Sequence, residues 1–277
     1  MTASPAPLSR SVQAAPARLT VEDIGISFGG VKAVDGVSFT ARTGEVLSII
    51  GPNGAGKTTL FNLVSGVYQP KAGKVTLGDE AVTGLSPDRL ATRGLSRTFQ
   101  NLQVFFRMTA RENVMVGRHL KERRGLLSHL LALPSTGRQN RESAEVADRL
   151  LARVGLSDYA DTPAASMPYG ALKRLEIARA LAAEPEVLLL DEPAAGCNAV
   201  ETEEIEKLVR AIADEGVAMV LVEHDMKLVM RISDKILVLD QGRMLAEGTG
   251  EQIHTNPKVI EAYLGTHGTR EANLALD

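Results

Sequence analysis

Residues 51–58, GPNGAGKT, leave this chain fewer folding options than any other stretch. They fit the pattern G-x-x-x-x-G-K-[ST]. Before them lies the apolar run Val46–Ile50, which has the texture of a buried strand, and after them Leu60, Phe61, Leu63 and Val64 fall at helical spacing. Strand, glycine loop and helix in that order make a phosphate cradle. Glycines at 51, 54 and 56 let backbone N–H groups turn inward without Cβ collisions, and the helix N-terminus adds partial positive charge. The cradle is expected to run from Gly51 through Asn53, Gly54, Ala55 and Gly56 to Lys57, Thr58 and Thr59. Lys57 would reach the outer phosphates and the Thr58 hydroxyl would ligate a magnesium ion.

The remaining texture says what surrounds the cradle. LTVEDIGISF and VSFTAR, from Leu19 onward, read as an antiparallel edge sheet. From about residue 101 to 181 the pattern turns helical, with apolar spacing in ESAEVADRLLARVGL and a Leu-rich stretch at Leu126, Leu127, Leu130, Leu131 and Leu133. β/α alternation then resumes with VLLLD, EIEKLVRAIADEG, AMVLVEH and MKLVMRI, followed by a hairpin-like KILVLDQGRMLAEG. The expected fold is α/β: a mainly parallel sheet covered on both faces, an antiparallel β edge subdomain and an inserted α-helical subdomain. Domain limits are placed at 18–265, with the helical insertion at about 101–181, a flexible N-terminal tail at 1–17 and a C-terminal tail at 266–277.

In a parallel sheet the carboxyl ends of the strands share one edge. Asp191, after Val187–Leu190, is therefore expected beside the cradle, holding magnesium through water, with Glu192 orienting the attacking water. An Asp-Glu pair alone is more often a solvated strand end; the cradle reverses those odds. His224 follows a second buried strand and should emerge at the same edge. Cys197 is the only cysteine. It rules out an internal disulfide, which suits a cytosolic chain, and with no activating neighbour it reads as a packing residue. A net charge of −3 and a pI near 6.0 offer no attraction for nucleic acid, and none is expected as a partner. No apolar run approaches the roughly 18 residues of a membrane span.

Together these residues resemble the nucleotide-binding subunit of ABC transporters, from about Leu19 to Gly265. The phosphate loop and the Asp191-Glu192 strand end are joined by four more motifs in the family's order: Gln100 in RTFQN, MPYGALKRLEIARAL at the signature position, AGCN, and VEHD with His224. The resemblance implies an ATPase using ATP and Mg²⁺. Phe28 would stack on adenine, Gln100 would join the metal shell and catalysis, and His224 would contact the γ-phosphate. Tyr169 and Gly170, ahead of a long helical run from Leu172 to Leu181, would close over ATP held by a second ABC ATPase subunit. At the signature, Pro168 and Ala171 replace the common Ser and Gln, removing a side-chain donor.

Pro-Tyr-Gly, the stretches RTFQNLQVFFRMTARENVMVG and RLEIARAL through DEPAAG, and NPKVIEAYLG are similar to the branched-chain amino acid importer branch, in its LivG-type subunit. This implies two transmembrane permease subunits, an external solute-binding protein, and a peripheral position on the cytoplasmic face of the inner membrane. The insertion around Arg118–Arg141 favours a heterodimer with a related ATPase; a homodimer is the alternative. Another small solute such as urea or an amide, or a non-transport ABC ATPase, are the competing readings. A small-molecule kinase would share the cradle but would have no use for MPYGALKR or His224.

Overall fold

The computed structural model describes residues 15–119 and 134–266. The Leu-rich stretch at 126–133 and all but one residue of the 266–277 tail lie outside the described residues. Two sheets organise the rest. Strands β1 (Ala17–Phe28), β2 (Val31–Arg42), β4 (Ala72–Leu77) and β5 (Glu80–Ala81) form an antiparallel sheet in the order β2-β1-β4-β5. The carbonyls of Ala15 and Pro16, assigned by the sequence to the tail, already accept hydrogen bonds from Arg42 Nη1 and Thr43 Oγ1 at this sheet's margin.

The second sheet has the order β10-β9-β3-β8-β7-β6. Its members are β3 (Val46–Ile50), β6 (Leu95–Arg97), β7 (Val187–Asp191), β8 (Ala218–Val222), β9 (Lys235–Asp240) and β10 (Arg243–Gly248). All neighbours are parallel except β9 and β10, which form the hairpin. At its turn Gln241 and Gly242 both have positive φ, 47° and 79°, which matches the right-handed twist of the flanking strands. Every residue of β3, β7 and β8 is buried. This is why those runs are apolar throughout instead of alternating.

Alternate residues of these strands nevertheless serve different cores, because successive side chains point to opposite faces. Leu188, Leu190, Met219 and Leu221 pack with α3 (Ala110–Gly117), α4 (Pro134–Arg153), α5 (Tyr169–Leu181), α6 (Ala199–Asp214) and α7 (Met226–Ile232). Leu47, Ile49, Leu189 and Val220 face α1 (Lys57–Val64) and the antiparallel sheet. Each fully buried aliphatic side chain contributes about 1.5–3 kcal/mol, so both layers are held by apolar burial. Capping boxes at Thr109 and Asn198 start α3 and α6, and Asp225 caps α7.

A third cluster joins Ile50, the last residue before the phosphate loop, to the C-terminal helices α8 (Gly250–His254) and α9 (Pro257–Thr266) through Ile253, Val259 and Tyr263. Burial pushes the Tyr263 hydroxyl up to about 12, opposed by a hydrogen bond from the Gly51 backbone. The terminal helix is thus packed against the base of the loop.

Helix α1 ends where Gly66 turns left-handed (φ 75°) and its N–H returns to the Leu63 carbonyl. A Cβ at this position would lie 2.2 Å from the Leu85 carbonyl oxygen. Gly66→Ala is therefore expected to lower the unfolding free energy by about 1–3 kcal/mol, read by urea denaturation; an unchanged midpoint would show that the turn relaxes freely.

Candidate active site

The glycine loop closes on itself and on its neighbours. At Gly51 (φ 150°) a Cβ would sit 2.1 Å from the Leu239 carbonyl oxygen, and at Gly56 (φ 100°) 2.5 Å from that of Ala33. No other residue type fits either position without backbone movement. The β9–β10 turn buttresses the loop: Gly242 N–H donates to Ala55 O at 3.0 Å, and Asp35 N–H to Gly242 O at 2.8 Å. Lys57 is 6% exposed, and its ammonium donates to the carbonyls of Gly51 (2.6 Å) and Pro52 (3.1 Å). Burial lowers its pKa, and the charge of Glu192 opposes the shift. No side chain caps α1 and no acidic residue stands in its first turn. Its free N–H groups and partial positive charge therefore face the opening.

A surface cavity of about 690 Å³ covers the loop. Asn53, Gly54, Ala55, Gly56, Lys57, Thr58 and Thr59 line it, joined by Gln100, Glu192 and His224 from the ends of β6, β7 and β8 and by Val31, Lys32 and Ala33 of β2. The parallel sheet thus gathers at one edge residues separated by well over a hundred positions. Glu192 sits at the centre of the polar wall. Its Oε2 accepts from Gln100 Nε2 at 3.1 Å, and its Oε1 is 2.7 Å from His224 Nε2. The backbone of Glu192 is left-handed (φ 50°), an uncommon conformation for a side-chain-bearing residue. Its N–H donates to Val222 O, and Lys173 Nζ donates to its carbonyl at 3.3 Å.

Asp191 lies behind this wall and not on it. Only 3% exposed, it is absent from the cavity lining, and its Oδ2 accepts from Arg97 Nη2 at 2.8 Å in a buried ion pair. Arg97 also donates to Asn62 Oδ1 and Ser65 Oγ of the α1 layer, both at 2.7 Å. Glu223 is a second buried carboxylate. It accepts from the N–H groups of Ala194 and His224 at 3.0 and 3.1 Å, and burial raises its pKa against those bonds. It therefore fixes the chain on either side of the catalytic edge.

Other residues singled out in the sequence also stand apart from the cavity, Gly51 among them. Phe28 is half exposed at the end of β1, where its ring meets Tyr68 edge-on with centroids 5.4 Å apart. It flanks the cavity through Val31–Ala33 and does not line it. Tyr169 and Gly170 are the first two residues of α5, so the helix starts earlier than Leu172, where the sequence placed it. Gly170 is buried under Glu201: a Cβ on it would approach the Glu201 carboxylate oxygen to 2.4 Å. Ala171, read in the sequence as a departure in the contact surface, has its methyl group in the helical core. Cys197 packs beside that core, and burial, with the charge of Glu201, pushes its thiol pKa up, away from a nucleophile's range.

Sequence reasoning missed Arg97, Lys173, Glu176 and Glu223. The available signal was charge inside otherwise apolar elements, since each is a charged residue in or beside a buried strand or on a buried helix face.

A family model described as "ABC transporter" matches residues 34–195, and one described as "Branched-chain amino acid ATP-binding cassette transporter" matches 243–269. The high-affinity branched-chain amino acid transport ATP-binding protein BraF of Pseudomonas aeruginosa is 46% identical over 248 residues, covering 89% of this chain and 97% of that protein. The LivG protein of the same description from Escherichia coli K12 has the same identity and coverage. Among solved structures, a nucleotide-free ATP-binding cassette from an ABC transporter superposes with a TM-score of 0.78 at 32% identity, over 89% of this chain and 98% of that one. Among the described residues, no helix is long and apolar enough to cross a membrane. With the loop, the strand-end carboxylates and the sheet order all in place, the chain belongs to the ABC transporter family as one of its ATP-binding, ATP-hydrolysing subunits.

Proposed function

We propose that this chain powers the uptake of branched-chain or related amino acids, hydrolysing ATP with Lys57, Glu192, Gln100 and His224 at one sheet edge. The observation that carries the catalytic part is the Glu192 carboxylate, held between Gln100 and His224 at the mouth of the Lys57 loop. Lys57 exchanges its two carbonyl partners for β- and γ-phosphate oxygens, and the N–H groups from Asn53 to Thr59 wrap the same phosphates. Glu192 orients the attacking water and accepts its proton on a carboxylate oxygen as the terminal phosphoryl group is displaced from ADP. His224 and Gln100 keep that carboxylate aimed, and Gln100 would also be among the residues that hold the metal. Phe28 supplies an aromatic surface for adenine beside β2.

The donor set suits magnesium: the Thr58 hydroxyl, the Gln100 amide oxygen and the Asp191 carboxylate are all hard oxygen ligands. Asp191 Oδ1 takes no hydrogen bond among the described residues, while Arg97 fixes Oδ2. Bound magnesium would neutralise charge on the phosphates.

Tyr169, exposed at the tip of α5, and Gly170, beneath Glu201, lie outside the cavity of their own chain, so a second ATPase subunit completes the site. We favour a related but distinct chain over a second copy. Two permease subunits and an external binding protein complete the assembly, with this chain at the cytoplasmic face of the inner membrane. A second cavity of about 360 Å³, lined by Val67, Phe99, Phe105, Val116 and Arg179, offers the permeases an apolar seat next to Gln100. The cargo assignment draws on the similarity to BraF and LivG.

The direct test is ATP turnover by the complex, reconstituted with its permeases, as candidate solutes are presented on the binding protein. Leucine, isoleucine or valine should stimulate; stimulation by urea or an amide alone would move the cargo class. In the same assay Glu192→Gln is expected to slow turnover by about 100-fold or more while ATP binding persists and an ATP-bound dimer accumulates. Turnover near the wild-type rate would remove Glu192 from its role.

A further inference from the structure

Of the four charged side chains of helix α5, Lys173, Glu176 and Arg179 are spaced three apart and so aligned along one side. All three reach the irregular segment 99–103 that bears Gln100. Glu176 Oε1 accepts from the N–H groups of Phe99 and Gln103 at 3.5 and 3.3 Å. Lys173 Nζ donates to Gln100 O at 3.4 Å and, as already described, to Glu192 O. Arg179 Nη1 donates to Gln103 O and its guanidinium stacks over Phe105, 5.6 Å from the ring centroid.

Lys173 and Glu176 are 2% and 3% exposed. Burying an ammonium and a carboxylate is costly unless each is bonded, and an apolar residue at either position would pack at no such cost. The segment they hold forms neither helix nor strand, so its backbone groups depend on partners of this kind. The bonds are therefore what shapes the segment, and α5 is what carries them. Burial raises the Glu176 pKa, opposed by the two backbone N–H bonds.

We propose that Lys173, Glu176 and Arg179 are positioning residues that clasp the Gln100 segment to α5, so that the helix tip at Tyr169–Gly170 and the Gln100–Glu192 contact move as one body. This rests on the reading above that Gln100 serves hydrolysis and that the tip of α5 closes a neighbour's site. Its consequence is directional: seating the tip on the neighbour's nucleotide sets the aim of Glu192 in the subunit that owns the helix. The two sites of a dimer would then be tied through a rigid helix with side-chain struts, a physical connection that coupling measurements can test.

The experiment uses the complete transporter with Glu176→Ala, Glu176→Gln, Gln100→Ala and the Glu176→Ala/Gln100→Ala pair, read by amide hydrogen exchange and by steady-state ATP turnover. Glu176→Ala should speed exchange at the Phe99 and Gln103 amides by about tenfold. It should also lower kcat by about tenfold with KM for ATP changed less than about twofold. Glu176→Gln keeps the acceptor oxygen and should return both readouts to within about twofold of wild type. In the Gln100→Ala background, Glu176→Ala should cost less than about twofold. Unchanged exchange at the two amides, or losses that simply multiply in the double variant, would overturn the clasp. Should Glu176→Ala fail to assemble, Lys173→Met removes the bond to Gln100 O and is judged by the same criteria. If Gln100→Ala alone leaves kcat unchanged, the role given to Gln100 in hydrolysis fails, and the exchange measurement then decides the clasp by itself.

Discussion

The ammonium of Lys57, buried and bonded to two carbonyl oxygens of its own loop, is the interaction on which the site depends. A cation so placed has lost much of its hydration, and two neutral carbonyls compensate it only in part. An incoming polyphosphate offers full charges at the same point, together with the free N–H groups of α1 as additional partners. The ammonium is thus held by its own loop, yet electrostatically incomplete. The glycines at 51 and 56 make this possible, because the backbone passes too close to Leu239 O and Ala33 O for any side chain.

The parallel sheet supplies everything else at that edge. β3 delivers the loop, β7 the Asp191–Glu192 pair, β8 His224 and β6 the approach to Gln100. Two layers of control are visible. One set of residues faces the cavity, and a second set, Arg97, Lys173, Glu176 and Glu223, is buried behind it and holds Asp191 and the backbone at or beside Gln100, Glu192 and His224. The left-handed backbone of Glu192 belongs to this design: its N–H is tied to β8 and its carbonyl to α5, so the carboxylate projects between Gln100 and His224.

How much of this could be read from the chain follows from how local each signal is. Val46–Thr58 is contiguous, so strand, loop and helix were legible directly, and the all-apolar VLLLD and AMVLV runs announced strands buried on both faces. The resemblance to ABC transporters then supplied Gln100, Phe28 and the signature helix, whose residues carry weak signals of their own. Contacts between distant residues were not legible. Arg97 finds Asp191 across 94 positions, and Glu176 finds Gln103 across 73. Nothing near Asp191 says that its first partner is an arginine. A substitution inside a recognised motif, such as Ala171, looks like a change in contact, and the sequence does not say that its methyl group turns into the core. The start of α5 was set three residues late, at Leu172, because glycine at 170 looks like a break; the helix takes it into its first turn, where Glu201 lies over it.

The central claim is that the Lys57 ammonium leaves its loop carbonyls for the phosphates of ATP. Calorimetric titration of Mg²⁺–ATP into the assembled complex, with wild-type chain and with Lys57→Ala, tests it most directly. The account predicts saturable binding by the wild type and affinity at least about tenfold weaker in the variant. Equal affinity for the two would contradict it.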